Sequence, residues 1–391
     1  MQVGVPREQI AGERRVALTP EVVSSLVSSG VTVAIEAGAG ERAGHSDAAY
    51  QEVGAVIAAD CRQLCASSDV LVHVQHPSAV DVTALREHTV VIGFLQPLLA
   101  LDLVRQLRDR RITSFSMDAI PRIARAQDMD ALSSMSTISG YRAVILASAA
   151  LPRFFPLLMT AAGVVTPARV FVLGAGVAGL QAIGTARRLG AVVEAFDTRP
   201  VAKEQVTSLG ARFVELPVQE EVGGTVEGYA RQLSAEAEVQ EQALVSRHVA
   251  ESDVVITTAL VPGKRAPILV TADAVFQMRP GSVIVDLAAE AGGNCALTRS
   301  GEVTTVRGVT IIGTTNLPSQ MPGQASQMYA RNLFNLLQHL APKGTLQLDF
   351  SDAITGGSCI THGGEIVNAA VRALVDGGEA AALAATGRRN A

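Results

Sequence analysis

Two kinds of apolar pattern alternate along the chain. Runs of four to six apolar residues bounded by glycine, proline or polar clusters read as buried strands, and stretches whose apolar residues return every three or four positions read as helices. In the first ~130 residues the runs predict strands at 2–5, 31–36, 69–75, 90–94 and 112–115. A helix is predicted after Thr19, placed as N-cap, with Pro20 at the first helical position. From Val170 a second series predicts strands at 170–173, 191–196, 212–216, 253–257, 282–286 and 309–312, separated by helical patterns. Between the two series, 129–148 has the spacing of a long bridging helix, and Tyr329, Leu333, Leu336, Leu337 and Leu340 place another helix after Pro322. The most apolar window, VILASAALPRFFPLLMTAAGVV at 144–165, nears the length of a membrane span but contains Arg153, Pro152 and Pro156. Charge and paired prolines there predict a buried helix, a break and a second helix.

One junction has a more specific grammar. VFVLGAGVAGLQAIG places a buried strand directly before Gly174, Gly176 and Gly179, spaced GxGxxG, and a helical pattern follows. Gly174 permits the tight turn, Gly176 removes the side chain that would block a pyrophosphate, and Gly179 lets the helix approach the strand closely. The helix N-terminus then offers its N–H groups to an anion. The next predicted strand ends at Asp197, where a carboxylate accepts hydrogen bonds from the ribose hydroxyls of NAD and repels a 2′-phosphate. Arg199, two residues on, softens that preference without reversing it. The expected fold class is therefore α/β, with two Rossmann-like doubly wound domains separated by a cleft and joined by long helices. The first is discontinuous, 1–135 plus 322–391, and the second, 136–321, carries the nucleotide. The segment 217–238, acidic and glycine-rich with little apolar periodicity, interrupts the second domain and is expected to be a lid over the ligand.

Composition narrows the class further. A chain of 391 residues that is 48% hydrophobic, with 35 glycines and no tryptophan, is neither disordered nor fibrous. A net charge of −5 with scattered basic residues gives no surface prepared for nucleic acid. Cys61, Cys65, Cys295 and Cys359 are too few for a disulfide framework, and no further ligand pair stands near Cys61 and Cys65 to make a zinc site, so a reducing cytoplasmic compartment and no metal are expected. The N-terminus lacks the basic and apolar regions of a signal peptide.

Across essentially its whole length the chain resembles the soluble NAD(H)-binding domain I, carried on the alpha subunit, of the proton-translocating nicotinamide nucleotide transhydrogenases, and more distantly the alanine dehydrogenases. The resemblance is carried by GVPRE…GERRVALTP, PRIARAQDMDALSSMSTISGYRAV, the fingerprint with DTRP, TTALVPGKRAP and GSVIVDLAAEAGGNC, of which RAQDMDALSS is the most specific. It implies that Arg122, Gln127, Asp130 and Ser133 surround the nicotinamide and its carboxamide, with Arg125 beside them. It also implies that Gly174, Gly176, Val177 and Gly179 form the pyrophosphate turn and Asp197, Thr198 and Arg199 the adenosine ribose site. Gly228 and Tyr229 match a mobile loop, and Ala259 and Leu260 follow the strand whose backbone flanks the nucleotide. Independently of the resemblance, 122–133 supplies donors and acceptors suited to an amide, although Asp130 or Ser133 would serve equally well as the N-cap of the next helix.

Two absences separate the relatives. Alanine dehydrogenase must move protons on an imine and an amine, and its family places a lysine and a histidine after two consecutive strands. The matching segments here, VLVHVQHP at 70–77 and IGFLQPLL at 92–99, hold Gln75 and Gln96, which do not titrate; His73 and His76 lie nearby. Hydride transfer between two nicotinamides needs only proximity, orientation and exclusion of water. The expectation is thus an NAD(H)-binding transhydrogenase subunit that passes hydride directly between NADH and NADP⁺, of the Re/Si-specific type and active only with partners. NADP(H) is expected on a separate beta subunit, because the chain has no second fingerprint, and proton translocation on a membrane-spanning subunit. A homodimer held peripherally at the inner face of the membrane by those partners is implied, with a stand-alone alanine dehydrogenase as the alternative.

Overall fold

The computed structural model describes residues 1–215, 235–261 and 263–377, with the backbone alone at 235–238. It divides into two compact units, Met1–Met135 with the chain from Ser319 onward, and Ser136–Pro318. In the first unit, strands β1 (Gln2–Val5), β2 (Thr32–Glu36), β3 (Val56–Ala58), β4 (Val70–Val72), β5 (Val90–Gly93) and β6 (Thr113–Ser116) run parallel. The helix Ala131–Ala150 then carries the chain into the second unit. There a small antiparallel hairpin, β7 (Leu158–Thr160) and β8 (Gly163–Val165), precedes β9 (Arg169–Leu173), β10 (Val192–Phe196), β11 (Arg212–Phe213), β12 (Val254–Thr257), β13 (Val283–Asp286), β14 (Val303–Val306) and β15 (Val309–Ile312). Back in the first unit, β16 (Cys359–His362) lies antiparallel to β6, and β17 (Glu365–Ile366) caps that edge.

The first sheet has the order β17-β16-β6-β5-β4-β1-β2-β3. Its central strands are covered on both faces, with Val70, Leu71 and Val72 fully buried, as parallel strands between helices require. The helix Pro20–Ser28 begins where predicted, yet the Thr19 hydroxyl makes no cap bond and is buried without a partner; proline at the first position supplies the start.

The second sheet has the order β11-β10-β9-β12-β13-β15-β14, parallel except for β14. Alternate residues feed two cores. Val170, Val172, Val193 and Ile256 pack with Ala143, Ala147, Ala182 and Ile183, while Phe171, Leu173, Val255 and Ile284 pack with Val245, Val249 and Val275. The chain leaves β9 toward β10 on one side and later returns to β12 on the other, so the β9/β12 junction is the topological switch point.

One expectation fails. After the helix ends at Ala150, residues 151–165 form no second helix but a bend and the β7/β8 hairpin. Pro152 and Pro156 remove helical donors, and Gly163, at φ +115°, turns the chain back. Arg153 is drawn to Asp253 at 3.0 Å and to the Thr166 carbonyl at 2.9 Å. Among the described residues no helix is long and apolar enough to cross a membrane.

Glu194 in β10 is expected to make this unit acid-sensitive. Burial alone would raise its pKa, but Nδ1 of His248, 2.8 Å away, and the Arg212 guanidinium outweigh burial and hold it below the ordinary 4.5. A depressed carboxylate contributes stability that is present above its unfolded pKa and is lost as pH falls through the folded one. Melting of wild type is therefore expected to drop on acidification below about pH 4.5. Glu194→Gln should lower the neutral-pH stability by about 1–2 kcal/mol and flatten that acid limb; an unchanged limb would place the acid sensitivity elsewhere.

Candidate functional site

At the carboxyl end of β9 the three fingerprint glycines meet three different demands. Gly174 stands at φ +95°, and a Cβ there would lie 2.4 Å from Oγ1 of Thr258. A Cβ on Gly179 would lie 1.8 Å from the Gly174 carbonyl oxygen, so the close approach of helix to turn depends on its absence. Gly176 has ordinary extended backbone, φ −76° and ψ −168°, and among the described residues a Cβ on it would meet no non-neighbouring atom within 4 Å. Among the described residues the space above Gly176 is therefore open. Val177 begins the helix Val177–Arg188, whose first turn contains no acidic residue and whose early N–H groups lack helical acceptors.

Asp197 follows β10 and faces the same turn. Its Oδ2 accepts from the Ala175 N–H at 2.7 Å and from Nη2 of Arg199 at 2.9 Å. Its Oδ1 accepts the Arg199 N–H at 2.8 Å and Nε at 2.9 Å. Burial opposes ionisation of Asp197, but the guanidinium and the backbone N–H groups prevail and hold its carboxyl below the usual range, while Arg199 is pushed up. Thr198, half-buried, lies between them.

Beyond β12 the chain is held by residues that sequence reasoning passed over. Thr258 Oγ1 donates toward the carbonyls of Leu173, at 3.2 Å, and Gly174, at 3.1 Å, tying the two halves of the switch point together. Asn294, fully buried, accepts the Ala259 N–H at 3.0 Å and donates to the carbonyls of Ala259, at 2.9 Å, and Pro267, at 2.8 Å. Ala259 is thereby locked through both backbone groups, and Leu260 is left exposed beside it. Gly140, in the helix Ala131–Ala150, sits against the start of the glycine-turn helix: a Cβ on it would lie 2.1 Å from the Ala178 carbonyl oxygen. The sequence signal for these roles is slight, a TT pair after a strand, GGN after another, and one glycine inside an otherwise regular helix.

In the first unit the segment 122–133 forms a 3-10 helix, Ala124–Met129, leading into Ala131–Ala150. Arg122 and Gln127 are exposed. Arg125 is also exposed and pairs with Asp352 at 2.8 Å. Asp130 accepts the Ser133 N–H at 2.9 Å and the Ser133 hydroxyl at 2.6 Å. The capping role weighed from the sequence thus falls to Asp130. Gly228 and Tyr229, with most of the expected lid, lie outside the described residues.

Gln75 and Gln96 end up in unlike places. Gln75 donates to Glu13 at 3.0 Å, beside the buried pair Arg15–Glu13 at 2.6 Å. Gln96 takes a left-handed φ of 47° and is exposed. Burial pushes Glu8 up to about 8, and its two oxygens accept the backbone N–H groups of Val74 and Gln75. His73 is sealed in the core, where burial pushes it down to about 4, so its ring is neutral at neutral pH.

With this geometry in hand, two family models match the chain, described as alanine dehydrogenase/PNT, N-terminal domain, over residues 4–139, and alanine dehydrogenase/PNT, C-terminal domain, over residues 143–369. An NAD(P) transhydrogenase alpha-subunit protein of Rhodospirillum rubrum is 45% identical over 381 residues, covering 95% of this chain and 99% of that one. An alanine dehydrogenase of Halomonas elongata is 30% identical over 95% of this chain and 96% of its own length. A solved transhydrogenase from Sinorhizobium meliloti superposes with a TM-score of 0.83 at 40% identity, covering 95% of this chain and 100% of that one.

Proposed function

The chain belongs to the alanine dehydrogenase/PNT family, and on that footing we propose that it is the NAD(H)-binding subunit of a proton-translocating NAD(P)⁺ transhydrogenase. When bound, the dinucleotide supplies the hydride at its nicotinamide C4. The residues of this chain supply the rest. The space over Gly176, open among the described residues, the positive helix end at Val177 and the carboxylate of Asp197 suit a pyrophosphate and a ribose in sequence. Asn294, through Ala259, holds the backbone that flanks the nucleotide. Arg122, Gln127, Asp130 and Ser133 orient the carboxamide, with Arg125 beside them.

The observation that carries this reading over an amino-acid dehydrogenase is Gln75. Where the alanine dehydrogenases place lysine, its amide only donates to Glu13; Gln96 is equally unable to titrate, and His73 is held neutral by burial. A site without an acid/base pair at these positions suits hydride transfer, which needs none at the reacting carbons. NADP(H) and the proton path then belong to a beta subunit and a membrane-spanning subunit, which hold this chain at the cytoplasmic face of the membrane. A homodimer gives the exposed apolar side chains of the hairpin region, Phe154, Leu157, Met159 and Val164, a surface to bury.

The purified chain is expected to show no NADH oxidation with pyruvate and ammonia. With the NADP(H)-binding partner added, it should exchange hydride between NADH and an NADP⁺ analogue, and sedimentation should give a dimer. A pyruvate-dependent rate from the chain alone would overturn the assignment.

A further inference from the structure

We propose that Arg199 is an internal competitor at the ribose carboxylate: its guanidinium occupies the two acceptor positions on Asp197 that a ribose diol needs, and so lowers the affinity for NAD(H) while softening the rejection of a 2′-phosphate. The inference rests on the reading of Asp197 as the ribose acceptor.

An ionised carboxylate has about four acceptor positions, two per oxygen, and all four on Asp197 are in use. Each oxygen accepts one backbone N–H, from Arg199 at Oδ1 and from Ala175 at Oδ2. Each also accepts one guanidinium N–H, Nε at Oδ1 and Nη2 at Oδ2. The backbone donors belong to the glycine turn and the end of β10 and stay in place. The guanidinium donors sit on a side chain that is 24% exposed, against 7% for Asp197. Two vicinal hydroxyls, presented together, replace two guanidinium N–H groups on Asp197 oxygen for oxygen. The exchange removes a cation from a carboxylate and installs a neutral diol, so nucleotide binding works against a bidentate, partly shielded ion pair.

Two consequences have opposite signs. For NADH the apparent affinity is the intrinsic one reduced by the fraction of molecules whose Asp197 has been released. Removing the guanidinium removes that reduction. For a nucleotide with a 2′-phosphate, the guanidinium is, among the described residues, the cation bonded to Asp197, and without it carboxylate and phosphate face each other less screened. A side chain that merely contacted bound NADH would weaken NADH binding when removed, and one that only stabilised the fold would not change the NADH-to-NADPH ratio.

The test uses the full chain, with NADH and NADPH each titrated by fluorescence and the association and dissociation rates followed by stopped flow. Arg199→Ala is expected to bind NADH about five- to tenfold more tightly, through faster association at an unchanged dissociation rate, and NADPH more weakly, with ligand-free melting lowered only slightly. Arg199→Lys, whose single ammonium cannot bridge both oxygens, should fall between the two and keeps the test informative if the alanine variant folds poorly. Weaker NADH binding by either variant, or equal shifts for both nucleotides, overturns the proposal. Failure of the underlying reading looks different: wild type and Asp197→Asn would then bind NADH equally well, or neither would bind it.

Discussion

Gly176→Ala is expected to melt within about 2 °C of wild type and yet to bind NADH at least about a hundredfold more weakly, a loss near 3 kcal/mol. Among the described residues the added methyl group meets no non-neighbouring atom within 4 Å, and the backbone there, at φ −76°, accepts alanine without strain. No described residue resists the change, so the penalty is expected to fall on whatever ligand must lie against that backbone. Gly179→Ala is the counterpart. Its methyl group would lie 1.8 Å from the Gly174 carbonyl oxygen, an overlap that only movement of the helix can relieve, and a destabilisation of about 3 kcal/mol or more is expected. Thermal melting and NADH titration of the two variants separate the roles. If Gly176→Ala binds NADH like wild type, the pyrophosphate does not cross this turn.

Gln127→Ala and Asp130→Asn are expected to slow hydride exchange with the partner-bound NADP⁺ analogue about a hundredfold while weakening NADH binding less than about threefold. Under the proposed function, most of the dinucleotide's binding would come from the turn and the ribose carboxylate, whereas a carboxamide held in one orientation would matter chiefly when two rings must meet. Asp130 complicates the simple truncation, because it also caps the helix Ala131–Ala150 through Ser133. Loss of that cap costs about 1 kcal/mol of stability in an alanine variant. Asparagine keeps the capping geometry and removes the charge, so Asp130→Asn isolates the effect on transfer. Equal losses in transfer and in binding for Gln127→Ala would make it an anchor for the ligand, without a role in orienting it.

The parts of the site legible in the sequence are those governed by local rules. A strand, a positive-φ glycine and a helix start must follow one another in the chain, so Gly174, Gly176 and Gly179 stand out, as does Asp197 at the end of the next strand. Short strands outside the main alternation, β3 and β14, and the edge pair β16 and β17, give weaker signals, since two to four residues carry little periodicity. The hairpin at 158–165 reads as a helix from sequence because an apolar run of that length fits either state when burial is unknown. Its residues are largely exposed, Met159 at 80%, so the apolar character reflects neither a core helix nor a buried strand of this chain.

Residue type and spacing were enough to fix the alternation of strand and helix, the nucleotide-type turn, and the chemistry missing at Gln75 and Gln96. Folding in three dimensions was needed to settle that Asn294 grips Ala259 from 35 residues away, that Gly140 and no larger residue faces Ala178, and that Arg199 saturates Asp197. The physical reason is that periodicity reports which face of an element is buried, whereas hydrogen bonds and atomic clearances depend on which distant backbone arrives opposite that face.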